Sequence, residues 1–141
     1  MKSLITVVCL LVGAVVTGFA DYFINQLGFF TSWVGVIGVA VGGFLVVKYL
    51  KEPIGWGYYF LACILNVFAF LVSEVYDVTN RVALHLRVDF SEALKLFPKS
   101  VDYFEEPMRI WMYMILGVVI TFIGGIAVWR NLNEQAHYGE I

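Results

Sequence analysis

The stretch WGYYFLACILNVFAFLVSEVYDVTNR, residues 56–81, decides the fold because a long apolar run ends there in several charges. Residues 56–73 carry no charged side chain, and their length approaches the roughly 20 residues that cross a ~30 Å hydrocarbon core. Glu74, Asp77 and Arg81 then follow at i, i+3 and i+7, on one side of a helix. The stretch predicts a membrane-spanning helix whose charges either lie in the bilayer or mark its exit.

Three further segments share this length and apolar character. The chain has 141 residues, of which 61% are hydrophobic and 14% are charged, and its mean hydropathy is +0.84. A water-soluble domain of this size would need more polar surface. We therefore expect an all-α membrane protein, one domain over residues 1–141, with four transmembrane helices in a bundle. The expected spans are residues 4–20, 29–47, 56–73 and 110–129.

The distribution of basic residues predicts the orientation of these spans. Four spans place both termini and the connection at 48–55 on one side of the membrane. Basic residues flank the spans on that side, at Lys2, Lys48, Lys51 and Arg130, whereas the first loop on the opposite side, residues 21–28, has no Lys or Arg. The long loop from 74 to 109 contains five basic residues among seven acids, which weakens the contrast. By the positive-inside rule, we expect both termini in the cytoplasm, and the inner (plasma) membrane of a bacterium as the location.

The connection between the third and fourth spans contains an amphipathic segment at about residues 82–107. Its apolar residues at helical spacing are Phe90, Leu94, Phe97 and Val101. Pro98 interrupts the helical pattern. We expect the segment to lie flat on the membrane surface with its apolar side down, and cover for a partner subunit is an equally open use.

Residues 85–98, HLRVDFSEALKLFP, resemble a segment of the small membrane subunits of TRAP-type transporters. In that family an amphipathic H-[IL]-x-V-D element leads toward a Leu-Pro pair. The resemblance covers about a tenth of the chain. Two further spans normally follow the element in that family, whereas one follows it here, so the resemblance assigns no family.

Small residues recur on one face of several spans and are the expected helix-packing positions. These positions are Gly35, Gly38 and Gly42 in the second span and Gly117, Thr121 and Gly124 in the fourth. Small faces let helix backbones approach closely, which matters because lipid gives no hydrophobic drive for helix pairing. Packing within one bundle and association with another membrane protein both remain open.

Sequence motifs for catalysis or cofactor binding are absent. The chain has no P-loop, dinucleotide fingerprint, G-x-S-x-G or H-E-x-x-H motif. Glu74 and His85 would lie about 16 Å apart along a continuous helix, too far to share a metal ion. We therefore expect no catalytic residue, no cofactor and no metal site, and the net charge of −2 gives no reason to expect a nucleic acid partner.

Polar residues of the third span form a candidate ion path. Its members are Asn66, Ser73, Glu74 and Asp77. A polar stripe that ends in carboxylates suits a proton or cation path. The alternative is that Asn66 and Ser73 bond across helices, while the charges lie in the headgroup zone and Asp77 pairs with Arg81.

Two main hypotheses for function follow from these observations. The first is a non-enzymatic accessory or structural subunit, whose partners are the lipid bilayer and either further copies or other membrane subunits. The second is a component of an oligomeric ion or small-solute channel or transporter with Glu74 and Asp77 at the pore mouth. A membrane enzyme that acts on lipids through paired acids is a third.

Overall fold

The computed structural model describes residues 1–27, 31–97, 99–104 and 106–139, and in these ranges the chain is helical without any β-strand. The helices are α1 (Lys2–Gln26), α2 (Val34–Leu50), α3 (Trp56–Leu86), α4 (Phe90–Lys95) and α5 (Pro107–His137), with a 3-10 helix at Lys99–Tyr103. The predicted all-α class is confirmed. Helices α1, α3 and α5 are long and apolar enough to cross a membrane, and α2, of 17 residues, is a shorter apolar helix.

Helix boundaries differ from the predicted spans, because a helix can begin or end at a different residue from the apolar run that it contains. Helix α2 begins at Val34, later than the predicted start at residue 29, and residues 28–30 lie outside the described residues. Helix α5 begins at Pro107, since proline suits the first turn, where no backbone N–H donor is required. It then continues through polar residues to His137.

Helix α3 continues to Leu86, well past the charges that close its apolar run. The expected ion pair forms between Arg81 Nε and Asp77 Oδ2 at 3.1 Å, and an i, i+4 pair of this kind supports further helical turns. The helix ends at Arg87, whose positive φ of 56° closes the last turn in the left-handed region. The last part of α3, which we call its projecting part, extends past Glu74, where Asn25 near the end of α1 contacts it.

Helices α1, α2, α3 and α5 run in alternating directions, and contacts at both ends fix this order. At one end, Lys2 Nζ lies 3.1 Å from Glu52 Oε1. Asn133 of α5 also bonds to both backbone groups of Ile54, at 2.8 and 3.0 Å. At the opposite end, Ser32 Oγ donates to the Tyr113 carbonyl oxygen at 3.1 Å. The first residues of α1 and the last turns of α5 thus both contact the connection between α2 and α3.

Glycine lets α1 and α2 approach to backbone contact. A Cβ atom at Gly13 would overlap the carbonyl oxygen of Gly38 and come within 2.9 Å of the Gly42 amide nitrogen. A Cβ atom at Gly42 would lie 3.2 Å from the Leu10 Cα atom. Close helix approach of this kind is the expected use of small residues between membrane helices.

The remaining small residues face other neighbours within the same chain. Gly35 lies against Thr121, so the small residues of α2 contact α5 as well as α1. Gly117 lies against the Phe70 ring of α3, and Gly124 lies against Val36 of α2. The small-residue positions of both helices are therefore occupied by contacts inside one bundle.

The side-chain distribution is the reverse of that in a water-soluble protein. Large apolar side chains that point outward include Phe19, Phe23, Phe60, Ile64, Phe68 and Ile123. Buried polar side chains include Thr17, Asp21, Asn66, Ser73 and Thr121. An apolar exterior of this extent suits lipid. The apolar helices thus indicate insertion into a membrane.

The connection between α3 and α5 folds back onto the projecting part of α3. We call α4 and the 3-10 helix together, residues 90–103, the elbow. Ala93 packs with Val82 and Ala83, and Val101 packs with Val78, all buried. Outward-facing apolar side chains of the elbow are Phe90, Leu94 and Leu96. Pro98, predicted to interrupt this segment, lies outside the described residues.

Candidate functional site

The interface between α1 and α3 contains polar side chains at two levels. Thr17, Asp21 and Asn25 follow one another at four-residue spacing and therefore share one face of α1. Asn66 and Ser73 lie seven residues apart on α3, which places them on the face that meets α1. The two levels lie one helical turn apart along α1, and they differ in charge.

The inner level is a neutral pair. Thr17 Oγ1 donates to Asn66 Oδ1, and Asn66 Nδ2 donates to the Ala62 carbonyl oxygen at 2.7 Å. Both side chains are buried. Gly38 of α2 closes this level, since a Cβ atom there would overlap both the Thr17 and the Asn66 oxygen. The inner level is therefore a closed hydrogen-bonded contact among three helices.

The outer level, which we call the acidic cluster, consists of Asp21, Asn25, Thr31, Ser73 and Glu74. Asn25 Nδ2 donates to Glu74 Oε1 at 2.8 Å and lies 3.4 Å from Asp21 Oδ2. Thr31 Oγ1 lies 3.2 Å from Glu74 Oε1 and 3.3 Å from Asn25 Oδ1. One amide and one hydroxyl thus connect the carboxyl groups of two helices.

Two polar atoms of the acidic cluster are buried without a hydrogen-bond partner, Asp21 Oδ1 and Ser73 Oγ. Ser73 lies beside the Asp21 carboxyl group, and Glu74 is its charged neighbour. Other buried unpartnered side-chain atoms in the described ranges belong to neutral residues, namely Thr79, Ser100 and Trp129. Because a buried carboxylate loses hydration that these contacts do not fully replace, Asp21 is the most costly polar group in the bundle to bury.

The structure divides the four residues of the predicted ion path among three places. Ser73 and Glu74 join the acidic cluster, and Asn66 bonds to Thr17 one level further in. Asp77 instead pairs with Arg81, whose side chain is 53% exposed. Within the described ranges, no group of three or more His, Cys, Asp or Glu side chains is placed to hold a metal ion.

Asp21 is the member of the site that the sequence reasoning missed. The predicted first span ended at residue 20, which placed Asp21 in a loop, whereas α1 continues to Gln26. Its side chain is 0% exposed. The available signal was the repeat Thr17-x-x-x-Asp21-x-x-x-Asn25, a polar stripe at helical spacing directly after an apolar run.

Comparison with known proteins leaves this site to be interpreted from its own chemistry. No family model, no curated protein and no solved structure matches the chain. The acidic cluster offers two carboxyl groups, two hydroxyl groups and one amide in an otherwise apolar bundle. Negative charge in such a set costs free energy unless hydrogen-bond donors, a proton or a cation compensate it.

Proposed function

We propose that α1, α2, α3 and α5 cross the bilayer and that both termini face the cytoplasm, in the inner membrane of a bacterium. The alternating helix directions and the basic residues Lys2, Lys48, Lys51 and Arg130 near one end support this orientation. Helix α2 rises about 25 Å, so modest local thinning of the bilayer would accommodate it. Single cysteines at the termini that react with membrane-impermeant reagents from outside intact cells would overturn the orientation.

We propose that the elbow lies at the membrane surface on the other side. Its outward-facing residues Phe90, Leu94 and Leu96 suit the boundary between headgroups and acyl chains. The centroids of the Phe90 and Tyr76 rings lie 5.2 Å apart, and those of the Tyr76 and Tyr22 rings lie 5.8 Å apart. These aromatic contacts continue from the elbow to the end of α1, as an interfacial belt does.

We propose that the protein is a non-enzymatic membrane component that carries protons or small cations, and that the acidic cluster is the ion-handling site. The observation that carries the proposal is Asp21, which is 0% exposed and faces Glu74 inside an apolar bundle. Ionisable groups within membrane-spanning segments are rare because their burial is costly, and they mark ion or proton paths. An apolar residue at this position would pack more cheaply, so a functional reason explains the carboxyl group.

Ion flux into liposomes that contain the purified protein tests this proposal. We expect an imposed pH or cation gradient to drive flux through the wild-type protein, and Asp21→Asn to lower the rate at least tenfold. Asp102→Asn makes the same chemical change on the exposed surface of the 3-10 helix and serves as the matched control. Absent flux in the wild type, or equal flux in Asp21→Asn, would overturn the proposal.

A docking subunit is the second candidate, and Leu84 is the observation that favours it. This residue lies on the projecting part of α3, about 15 Å beyond Glu74, and is 73% exposed. An apolar side chain exposed at this level of α3 is available for contact with a partner protein. The small-residue faces lend this candidate less support, because they are occupied inside the bundle.

Crosslinking in native membranes tests the docking candidate. We expect a photoreactive residue introduced next to Leu84 to capture a partner, and Leu84→Gln to lower the yield of that crosslink several-fold. Glu92→Gln, which introduces the same side chain at an exposed position of the elbow, is the control and should leave the yield unchanged. An equal yield with Leu84→Gln would remove this candidate.

A further inference from the structure

The acidic cluster holds two carboxyl groups without an accompanying cation. In the described ranges, the basic side chains that form ion pairs are Lys2 with Glu52, Arg81 with Asp77 and Arg109 with Glu106. None of these pairs includes Asp21 or Glu74. Asp21 is fully buried and Glu74 is half-buried, so solvent screens the repulsion between two negative charges at these positions only in part. A bound positive charge, or one carboxyl group kept neutral, would relieve this repulsion.

The groups around Asp21 come from every element that packs against it. Helix α3 contributes Glu74 and Ser73, with the Asp77–Arg81 pair one turn further out. The residues before α2 contribute hydroxyl groups, with Thr31 beside Asp21 and Ser32 bonded to the backbone of α5 at Tyr113. Tyr22 and Tyr76 pack ring against ring at the side. Glu74 is thus the charged group that acts directly on Asp21.

The position of Asn25 favours a proton over a metal ion. Its Nδ2 atom lies 2.8 Å from Glu74 Oε1 and 3.4 Å from Asp21 Oδ2. An amide nitrogen presents hydrogen atoms and has no lone pair to offer a metal. It occupies the space between the two carboxyl groups, where a bridging cation would have to lie. A proton needs no such space, since it forms part of a hydrogen bond.

Two unpartnered atoms show where this proton would be held. Asp21 Oδ1 is buried without a partner, and Ser73 Oγ, also unpartnered, belongs to a side chain that is 8% exposed and lies beside it. A protonated Asp21 has a hydroxyl donor in place of a bare charged oxygen, and Ser73 Oγ can accept from it. Ser73 would accept from the protonated carboxyl group and would donate to the charged one, so the same contact serves Asp21 in both states.

We propose that Asp21 and Glu74 form a proton-binding site that holds one proton at neutral pH, carried by Asp21 on the oxygen that faces Ser73. This site deepens the proposed function, on which it rests, by identifying the carried ion as a proton. Loss of the proton would leave two charges at the α1–α3 interface, and their repulsion would loosen this end of the bundle. The neutral Thr17–Asn66 pair would hold the helices together one turn away.

Infrared spectroscopy of the whole protein in lipid nanodiscs tests the site without measuring flux. We expect the C=O band of a protonated carboxylic acid at neutral pH. Uniform ¹³C-labelling of aspartate or of glutamate should shift all or part of this band, and raising the pH should remove it reversibly. The double variant Asp21→Asn/Glu74→Gln should lack the band, and Asp102→Asn should retain it. The labelled wild-type protein gives a result even if the double variant does not fold.

The infrared band and the ion flux together distinguish failure of the proton site from failure of the proposed function. Absence of the protonated band at neutral pH overturns the proton site. So does stoichiometric binding of Na⁺, K⁺, Ca²⁺ or Mg²⁺ at neutral pH that Asp21→Asn abolishes. A band without ion flux supports the proton site and overturns the proposed function. Flux without the band overturns the proton site and leaves the proposed function standing.

Discussion

The two polar levels of the α1–α3 interface have similar positions but different chemistry. The inner level consists of the neutral side chains Thr17 and Asn66, which bond to each other and to the Ala62 carbonyl oxygen. The acidic cluster, one turn away, contains the carboxyl groups of Asp21 and Glu74 and leaves Asp21 Oδ1 without a partner. The same pair of helices thus contains one satisfied contact and one incomplete contact.

This difference distinguishes polar groups that stabilise the bundle from polar groups that lower its stability. Between membrane helices, neutral hydrogen bonds contribute about 0.6 kcal/mol on average and up to about 1.7 kcal/mol. Buried carboxylates without full compensation cost free energy instead. We therefore expect substitutions at the inner level to destabilise the protein, and neutralisation of Asp21 to change ion handling with little loss of stability.

The substitution Gly38→Ala should have the largest effect, because it breaks the inner level. The added Cβ atom would overlap the Thr17 and Asn66 oxygens and lie 2.7 Å from the Gly13 carbonyl oxygen. Overpacking of a tight contact costs about 1–3 kcal/mol, and we expect about 3 kcal/mol here since backbone is involved. Reversible unfolding in mixed micelles measures the change.

Gly18→Ala is the matched control for that measurement. A Cβ atom at Gly18 would lie 3.9 Å from the Ala69 Cβ atom, an ordinary contact. The free energy of unfolding should change by less than about 0.5 kcal/mol, as for substitutions away from critical contacts. Equal losses from the two alanine substitutions would show that Gly38 is not a close-packed position.

The next effect concerns the hydrogen bond of the inner level. Asn66→Ala removes a buried partner of Thr17, and loss of one buried partner costs about 1–3 kcal/mol. In a double-mutant cycle with Thr17→Val, we expect a coupling energy of about 1 kcal/mol. A coupling energy of zero would show that the two side chains contribute independently, and the contrast between the two levels would fail.

These comparisons also show which features the sequence could predict. Apolar runs predict helices and their lipid-facing character because both depend on local composition, and the all-α class followed from them. The sequence predicts a loop at Asp21, since the burial of this residue depends on α1 continuing to Gln26 and on contacts with Ser73 and Glu74 of α3. Glu74 belongs to the acidic cluster whereas Asp77 pairs with Arg81. The sequence does not predict this difference, because both residues belong to one charged stretch and only tertiary contacts separate them.

A smaller effect on stability is expected when Asp21 is neutralised. Asn has nearly the same shape as Asp and is neutral, as the proposed protonated Asp21 is, so the substitution adds no charge and removes the cost of burying one. We expect Asp21→Asn to leave the free energy of unfolding unchanged or to raise it by about 1 kcal/mol, while ion flux falls. A loss of more than about 1 kcal/mol would place the acidic cluster among the stabilising contacts, as for a paired buried group.

The smallest effect should come from a charged pair that water surrounds, at the end of the bundle opposite the acidic cluster. Lys2 and Glu52 lie 3.1 Å apart, with side chains 72% and 44% exposed. Exposed pairs contribute about 0–1 kcal/mol and are screened by salt, so Lys2→Gln should lower the free energy of unfolding by about 0.3 kcal/mol. This loss should vanish at high salt, whereas the difference in unfolding free energy between Asp21→Asn and the wild type should be the same at low and high salt because Asp21 is buried. If the difference between Asp21→Asn and the wild type also changed with salt, Asp21 would be accessible to solvent ions, and its site would not differ from an ordinary surface charge.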